Sequence, residues 1–225
     1  MKTIILLHGA LGASDQLRPL ISELESLGYR GLPFDFSGHH QNPFHTQFSI
    51  EQFSKELKDF IIANELQKPA IFGYSLGGYV ALYLAHLQPG LIGSIFTYGT
   101  KFRWDEETSQ KEIRNLNPVT IDEKYPKFAE TLSRRHGVAW KDLVLQTANL
   151  ISELGRNTLL NADMLSAIPN KVVIGIGDRD VMVSLEETLE VYHSLKNGSM
   201  YMLADAAHPI EKINFGVLAK ILTTV

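Results

Sequence analysis

The chain has 225 residues, of which 44% are hydrophobic and 20% charged, and its formal net charge at pH 7 is −4. This length accommodates one domain with a large buried core, and the weak net charge excludes the positive field of a typical nucleic-acid-binding protein. No stretch approaches the ~20 apolar residues of a membrane-spanning helix, and there is no cysteine, so disulfides and thiolate nucleophiles are excluded. We expect a cytoplasmic protein with no nucleic-acid or membrane partner; the sequence does not indicate an oligomeric state.

Short apolar runs alternate with segments of helical periodicity over the first 100 residues, which predicts β-α units and a mostly parallel sheet. The first apolar run, Ile4–Leu7, is too short for a signal sequence and predicts a buried strand. Predicted strands span residues 4–8, 30–36, 69–73 and 91–98, and predicted helices span residues 15–27, 50–66 and 76–87.

Residues 101–168 differ from the rest of the chain, because they show no strand pattern and carry 20 of its 46 charged residues. Apolar residues at helical spacing from Trp140 to Leu154 predict a helix that Gly155 ends. Further strands at 171–176 and 199–203 follow, with helices at 184–195 and 209–222, the last with Pro209 in its first turn. We therefore predict a core of residues 1–100 and 169–225 that carries a helical cap formed by residues 101–168.

Ser75 lies between a predicted strand and a predicted helix, inside the sequence Gly73-Tyr74-Ser75-Leu76-Gly77. Glycines two residues before and after a serine keep side chains from colliding across a sharp strand-to-helix turn. Such a turn holds the hydroxyl clear of the sheet at a helix N-terminus, where N–H groups favour developing negative charge. The pattern indicates a nucleophilic serine.

With this motif the chain resembles the α/β-hydrolase family over essentially its whole length. Two other segments carry the resemblance, His8-Gly9-Ala10-Leu11-Gly12 and Asp35-Phe36-Ser37-Gly38-His39, of which the second is usually structural. The resemblance implies an α/β fold with a sheet of about six strands flanked by helices and a helical lid. It also implies that the backbone N–H groups of Ala10 and Leu76 form an oxyanion hole.

The resemblance further implies a base and an acid for Ser75. The family places its base in the loop after the last strand, which here contains His208, and the order serine, acid, histidine is satisfied. Its acid pattern, G-x-x-D-x-x-V, selects Asp180 in the loop after the fifth strand. Asp178 stays open as the alternative acid and is otherwise expected to be a turn residue that pairs with Arg179.

The other seven histidines have weaker claims to be the base. His86 falls about three turns along the helix that follows Ser75. Three more share a polar loop without carboxylates at ligand spacing, so solvated side chains are favoured over a metal site. The remaining three are expected at the surface or in structural hydrogen bonds beside the site. The three histidines of the polar loop are His39, His40 and His45, and the remaining three are His136, His193 and His8. We expect neither a metal nor an organic cofactor.

Substrate contacts are the least defined feature of the sequence. Tyr74 and Tyr98 close predicted strands, where open α/β sheets bind ligands. Trp104 and Trp140 are candidates for an apolar acyl pocket, although aromatic residues at helical spacing more often pack in a core. Four basic residues of residues 101–168 suit a substrate carboxylate, although solvated charges on a helix face are the commoner arrangement: Lys101, Arg103, Arg134 and Arg135.

Three functions stay open for this sequence. The first is hydrolysis of a small carboxylic ester or thioester through an acyl-enzyme on Ser75. The second is an enzyme that uses the same triad to cleave a C–C bond or eliminate a carboxylate. The third is a receptor-like protein that retains the triad and holds a ligand. Dehalogenase chemistry is disfavoured, because it requires an aspartate at position 75.

Overall fold

A parallel sheet organises the molecule. In the computed structural model, which describes residues 2–224, the strand order is β2-β1-β3-β4-β5-β6, and every neighbouring pair is parallel. The strands are β1 (Thr3–Leu7), β2 (Arg30–Phe34), β3 (Ala70–Tyr74), β4 (Ile95–Tyr98), β5 (Val172–Gly177) and β6 (Gly198–Leu203). The predicted α/β class and the predicted number of strands are confirmed.

Ten α-helices occur in residues 2–224, and none combines the length and the apolar character needed to span a bilayer. They are α1 (Arg18–Ser26), α2 (Ile50–Ala63), α3 (Leu76–Leu87), α4 (Glu106–Ile113), α5 (Pro118–Lys124), α6 (Pro126–His136), α7 (Trp140–Arg156), α8 (Ala162–Ser166), α9 (Leu185–Ser194) and α10 (Phe215–Leu222). Short 3₁₀ helices span Ser14–Leu17, Gly137–Ala139 and Ile210–Lys212.

Side chains of the sheet alternate between two buried layers, because successive residues of a strand point to opposite faces. In β1, Ile5 and Leu7 pack in the layer that contains α2 and α3, whereas Ile4 and Leu6 pack in the layer with α1 and α10. All four side chains are at most 1% exposed. Burial on both faces explains why this strand is continuously apolar in sequence.

Helices α4–α8, which we call the cap helices, lie between β4 and β5 in the chain. Helix α7 occupies the position that the apolar spacing predicted and continues one residue beyond Gly155. A separate apolar cluster joins three of these helices, and Leu11 of the loop after β1 belongs to it. The cap helices therefore contact the first loop of the sheet directly.

The predicted helix at residues 209–222 is wrong at its start. Residues 210–212 form a 3₁₀ helix, and α10 begins only at Phe215. The Asn214 side chain accepts a hydrogen bond from the Val217 N–H at 3.1 Å, so Asn214 acts as the N-cap. His208 and Pro209 consequently lie in a loop rather than at a helix start.

Three buried histidines lie where the cap helices meet the sheet. His8 and His39 are fully buried and His136 is 4% exposed, although His39 and His136 were expected to be solvated. His136 Nδ1 accepts from the His40 N–H at 2.8 Å, which leaves its Nε2–H to donate to the Leu11 carbonyl at 3.0 Å. Histidines that accept from backbone N–H groups must be neutral, because a second proton would oppose the donor.

Burial lowers the pKa of His8 to about 3 and also lowers the pKa of His39 and of His136. The folded protein therefore resists protonation that the unfolded chain accepts below about pH 6.5. Above that pH these histidines are neutral in both the folded and the unfolded state, so they do not change the free energy of unfolding. Below it, each of them lowers the free energy of unfolding by up to about 1.4 kcal/mol per pH unit.

We expect urea denaturation to give a lower free energy of unfolding at pH 5.5 than at pH 7.5, because these three buried histidines gain protons only in the unfolded state. The variant His136→Gln should have a shallower pH dependence, since it removes one of these groups. His193→Gln is the matched control, because His193 is exposed. Equal slopes for wild type and His136→Gln would contradict this account.

Candidate active site

Ser75 occupies a strained turn between β3 and α3. Its backbone has φ 50° and ψ −116°, in the left-handed region that a residue with a side chain rarely adopts. The Ser75 N–H donates to the Tyr98 carbonyl at 2.9 Å, and the Thr100 hydroxyl donates to the Ser75 carbonyl at 3.0 Å. The Ser75 side chain makes no capping bond to α3. These contacts hold the backbone in place and leave the hydroxyl available.

The two glycines of the motif are needed because α3 touches the end of β3 at Gly73 and the end of β1 at Gly77. A Cβ at position 73 would lie 2.4 Å from the Gly78 nitrogen, and a Cβ at position 77 would lie 2.7 Å from the His8 carbonyl oxygen. Both distances are far inside van der Waals contact with backbone atoms. The spacing identified in the sequence therefore has a steric cause.

Asp180 and His208 form a hydrogen-bonded pair in the loops after β5 and β6. His208 Nδ1 lies 2.8 Å from Asp180 Oδ2, and the Asp180 side chain is fully buried. Its other oxygen, Oδ1, accepts from the backbone N–H groups of Met182 and Val183 at 2.9 and 3.0 Å. An ionised Asp180 requires the proton of His208 on Nδ1, which leaves Nε2 as the basic nitrogen.

Opposing effects act on the ionisation of Asp180. Burial by itself favours the neutral acid, but the hydrogen bond to His208 and the two backbone N–H donors favour the anion more strongly. Together they lower the pKa of Asp180 below its ordinary value. The carboxylate is thus a permanent negative charge beside the imidazole at neutral pH.

Gly99, in the loop after β4, forms one wall of this pair. It has φ +60°, and a Cβ there would lie 3.2 Å from His208 Nδ1 and 3.3 Å from Asp180 Oδ2. A side chain at position 99 would therefore press on both groups. The carboxyl end of β4 thus contributes to the arrangement through the absence of a side chain.

The two other aspartates near His208 have different roles. Asp178 is exposed, and its Oδ1 accepts from the Ala206 N–H at 3.0 Å, which ties together the loops that carry Asp180 and His208. The sequence suggested that Arg179 pairs with Asp178, but Arg179 instead pairs with Asp205. Neither aspartate forms a hydrogen bond to the His208 ring in the described part of the chain.

Tyr74 and Tyr98 donate hydrogen bonds to the backbone of the loop that carries His208. The Tyr74 hydroxyl donates to the His208 carbonyl at 3.1 Å, and the Tyr98 hydroxyl donates to the Ala207 carbonyl at 3.0 Å. Burial raises the pKa of both phenols, so both stay protonated donors. The expectation that Tyr98 lines a substrate pocket is wrong, because Tyr98 is fully buried beneath the loop that carries His208. Tyr74 does line the wider of the two spaces beside Ser75.

Ser75 and His208 line two spaces that share several lining residues, a small one of about 80 Å³, which we call the inner cavity, and a wider cleft of about 600 Å³. Ala10 lines both, and Leu76 lines the inner cavity. The turn that carries Ala10 is closed by a 3.0 Å hydrogen bond from the Gly12 N–H to the Gly9 carbonyl. The predicted nucleophile, base and oxyanion donors therefore border one space.

The inner cavity is mostly apolar and carries a few polar groups from the cap helices and the loop after β4. Trp104 lines it, whereas Trp140 packs in the apolar cluster between cap helices. Of the four basic residues considered in the sequence, Lys101 lines the inner cavity and Arg135, which pairs with Asp15, lines the wider cleft. Arg103 pairs with Glu190 away from both spaces, and Arg134 is exposed. The sequence did not predict several other lining residues, among them Glu112, Thr147 and Met182.

Thr147 had a detectable signal in the sequence, since it is the polar member of an otherwise apolar helical stripe. Glu112 and Met182 had none, because they reach the cavity only through contacts between segments distant in the chain. Among residues 2–224 no group of three or more His, Asp or Glu side chains is arranged to hold a metal ion.

A family model described as the alpha/beta hydrolase fold matches residues 2–148, well over half of the chain. The chain belongs to the α/β-hydrolase fold family. Solved structures of this fold superpose on it, among them a thermophilic esterase from Thermogutta terrifontis, with a TM-score of 0.80 and 17% identity over 99% of this chain and 88% of that one.

Several proteins are similar to this chain in sequence, and two of them illustrate the range. A pimeloyl-[acyl-carrier protein] methyl ester esterase of Neisseria meningitidis is 27% identical over 225 residues, 97% of this chain and 60% of the relative. A 2-succinyl-6-hydroxy-2,4-cyclohexadiene-1-carboxylate synthase of Yersinia enterocolitica is 33% identical over 82 residues, 36% of this chain and 29% of the relative. The chain spans less than two thirds of each relative.

The variants Asp180→Asn and Asp178→Asn should separate the two candidate acids. Asp180→Asn removes the charge that fixes the His208 proton on Nδ1, and we expect kcat on a p-nitrophenyl ester to fall by about 10³- to 10⁴-fold. Asp178→Asn retains an oxygen that accepts from the Ala206 N–H, so we expect a loss below about tenfold. A larger loss for Asp178→Asn would reassign the acid.

Proposed function

We propose that the chain is a serine hydrolase that cleaves a small carboxylic ester or thioester through an acyl-enzyme on Ser75. The observation that carries this proposal is the buried Asp180–His208 hydrogen bond, whose imidazole borders the same cavity as a serine held in a strained strand-to-helix turn. An alcohol, an imidazole and a carboxylate in this order are the components of an activated nucleophile.

In the proposed mechanism, His208 Nε2 takes the proton of the Ser75 hydroxyl as the oxygen attacks the substrate carbonyl. The N–H groups of Ala10 and Leu76 stabilise the resulting oxyanion, and one such donor is typically worth about 3 kcal/mol of barrier. His208 then protonates the leaving alcohol or thiol. A water molecule activated by His208 releases the acid, so the steps consume only water and need no cofactor.

The relatives support the esterase reading, since the one from N. meningitidis that aligns over nearly all of this chain is named an ester esterase. The volume of the inner cavity adds a size limit. About 80 Å³ is roughly half of a cavity that holds benzene (~150 Å³), so the inner cavity suits a short acyl group. The wider cleft is open to the leaving group.

A second candidate function is cleavage of a C–C bond or elimination of a carboxylate by the same three residues. Lys101 favours it, because a basic side chain in the cavity beside Ser75 can attract a substrate carboxylate. The relative from Y. enterocolitica is named a carboxylate synthase. The pairing of Lys101 with Glu112 weakens this attraction, and we therefore place ester hydrolysis first.

Labelling with a fluorophosphonate probe tests the nucleophile. We expect one covalent adduct per chain, located at Ser75 by mass spectrometry, and none in Ser75→Ala. Ser133→Ala, an exposed serine of α6, is the control and should label fully. A folded wild-type protein that stays unlabelled would favour a receptor-like role.

Hydrolysis of p-nitrophenyl esters from acetate to octanoate tests the reaction and the acyl size together. We expect kcat/KM to be highest between acetate and butyrate and to fall for octanoate, because the inner cavity is small. Failure to hydrolyse any ester, combined with labelling of Ser75, would support the carbon–carbon or elimination chemistry instead. A steady rise to octanoate would show that the acyl chain occupies the wider cleft.

A further inference from the structure

Two residues that line the inner cavity beside Ser75 carry hydrogen-bonding groups without a partner in the described part of the chain. Thr147 of α7 is 2% exposed, and its hydroxyl has no hydrogen-bond partner among residues 2–224. A helical threonine commonly bonds to a carbonyl one turn earlier, and Thr147 does not. The indole N–H of Trp104, which lines the same cavity, is also buried and without a partner in that range.

These two groups can satisfy an oxygen atom of a ligand. The indole N–H only donates, and a threonine hydroxyl can also donate, so together they suit a hydrogen-bond acceptor. Buried polar groups in folded proteins are nearly always paired, so two unpaired groups in one cavity indicate a partner that comes from outside the chain. Their neighbours in the cavity, Leu150, Ile151 and Leu154, are apolar.

The charged residues of the cavity argue for an uncharged acceptor. Lys101 Nζ lies 3.7 Å from a Glu112 carboxylate oxygen and donates to the Met182 carbonyl at 3.0 Å. It also lies 5.9 Å from the centre of the Trp104 ring. Since Glu112 already compensates its charge, a second carboxylate would meet both an attraction and a repulsion. A neutral carbonyl or hydroxyl meets neither.

We propose that Thr147 and Trp104 are specificity residues that select a short acyl group carrying a neutral oxygen acceptor, such as a keto group, along its chain. This inference rests on the proposed function, because it takes the inner cavity as the acyl pocket of Ser75. Thr147 and Trp104 would pair with the acyl oxygen and leave the carbonyl carbon beside the serine.

Two p-nitrophenyl esters of equal length test this selection, the 4-oxopentanoate and the pentanoate, with spontaneous hydrolysis subtracted. We expect wild type to prefer the oxo ester by about tenfold in kcat/KM. Thr147→Val, which keeps the shape but removes the hydroxyl, should bring the ratio close to one, and Trp104→Phe should reduce it. Thr120→Val is the matched control on α5 and should retain the preference. Equal rates on both esters in wild type would overturn the inference while leaving the hydrolase proposal intact.

A binding measurement keeps the test independent of turnover. Calorimetric titration of Ser75→Ala with methyl 4-oxopentanoate and methyl pentanoate should show tighter binding of the oxo ester, and this difference should disappear in Ser75→Ala/Thr147→Val. If wild type hydrolyses no ester but this preference persists, the hydrolase proposal fails, and what remains of the inference is that Thr147 and Trp104 select a ligand with a neutral oxygen acceptor. Equal binding of the two esters overturns it.

A charged analogue tests the alternative ligand. The p-nitrophenyl monoester of succinate should be a poorer substrate than the 4-oxopentanoate, because the carboxylate of Glu112 lines the same cavity and would repel a second carboxylate. A preference for the succinate ester that is lost in Lys101→Met would overturn the assignment of a neutral acceptor and make Lys101 the specificity residue.

Discussion

All six strands of the sheet run in one direction, and the rest of the site depends on this constraint. The carboxyl ends of parallel strands share one edge, so the loops after β1, β3, β4, β5 and β6 meet there although they are far apart in the chain. They carry Ala10, Ser75, Gly99, Asp180 and His208. Of these five residues, only Ser75 is a non-glycine residue with a positive φ, and hydrogen bonds to Tyr98 and Thr100 hold its backbone in this conformation.

In the proposed function, the sheet edge supplies the reacting groups, whereas the cap helices supply selectivity. Helix α7 shows how one stripe serves two surfaces: its first turns place Trp140 and Leu143 in the cluster between cap helices, and its later turns place Thr147 and Ile151 at the cavity. His136 links the same region to the loop of Ala10 through the Leu11 carbonyl. A change in the cap helices can therefore reach the loop that carries Ala10 through one hydrogen bond.

Patterns local in sequence predicted the strands, most helices and the positions of the motif residues. Apolar runs mark buried strands, and glycine spacing marks the turn at Ser75. The exposure of single side chains could not be predicted in this way. His136 sits among charged residues in sequence, yet it is buried by contacts with residues 125 and 96 positions away. Tyr98 ends a strand at the ligand-binding edge, but a loop more than 100 residues later covers it.

The central claim is that Ser75, His208 and Asp180 act as one relay, and a mutant cycle tests it most directly. Steady-state kcat would be measured on one p-nitrophenyl ester for Ser75→Ala, His208→Ala and the double variant. When catalytic groups act as a unit, removing one of them abolishes the contribution of both, so removing the second causes no further loss. The account therefore predicts that kcat of the double variant is no lower than that of the slower single variant. Losses that multiply in the double variant would mean that the two residues act independently, and would contradict the account.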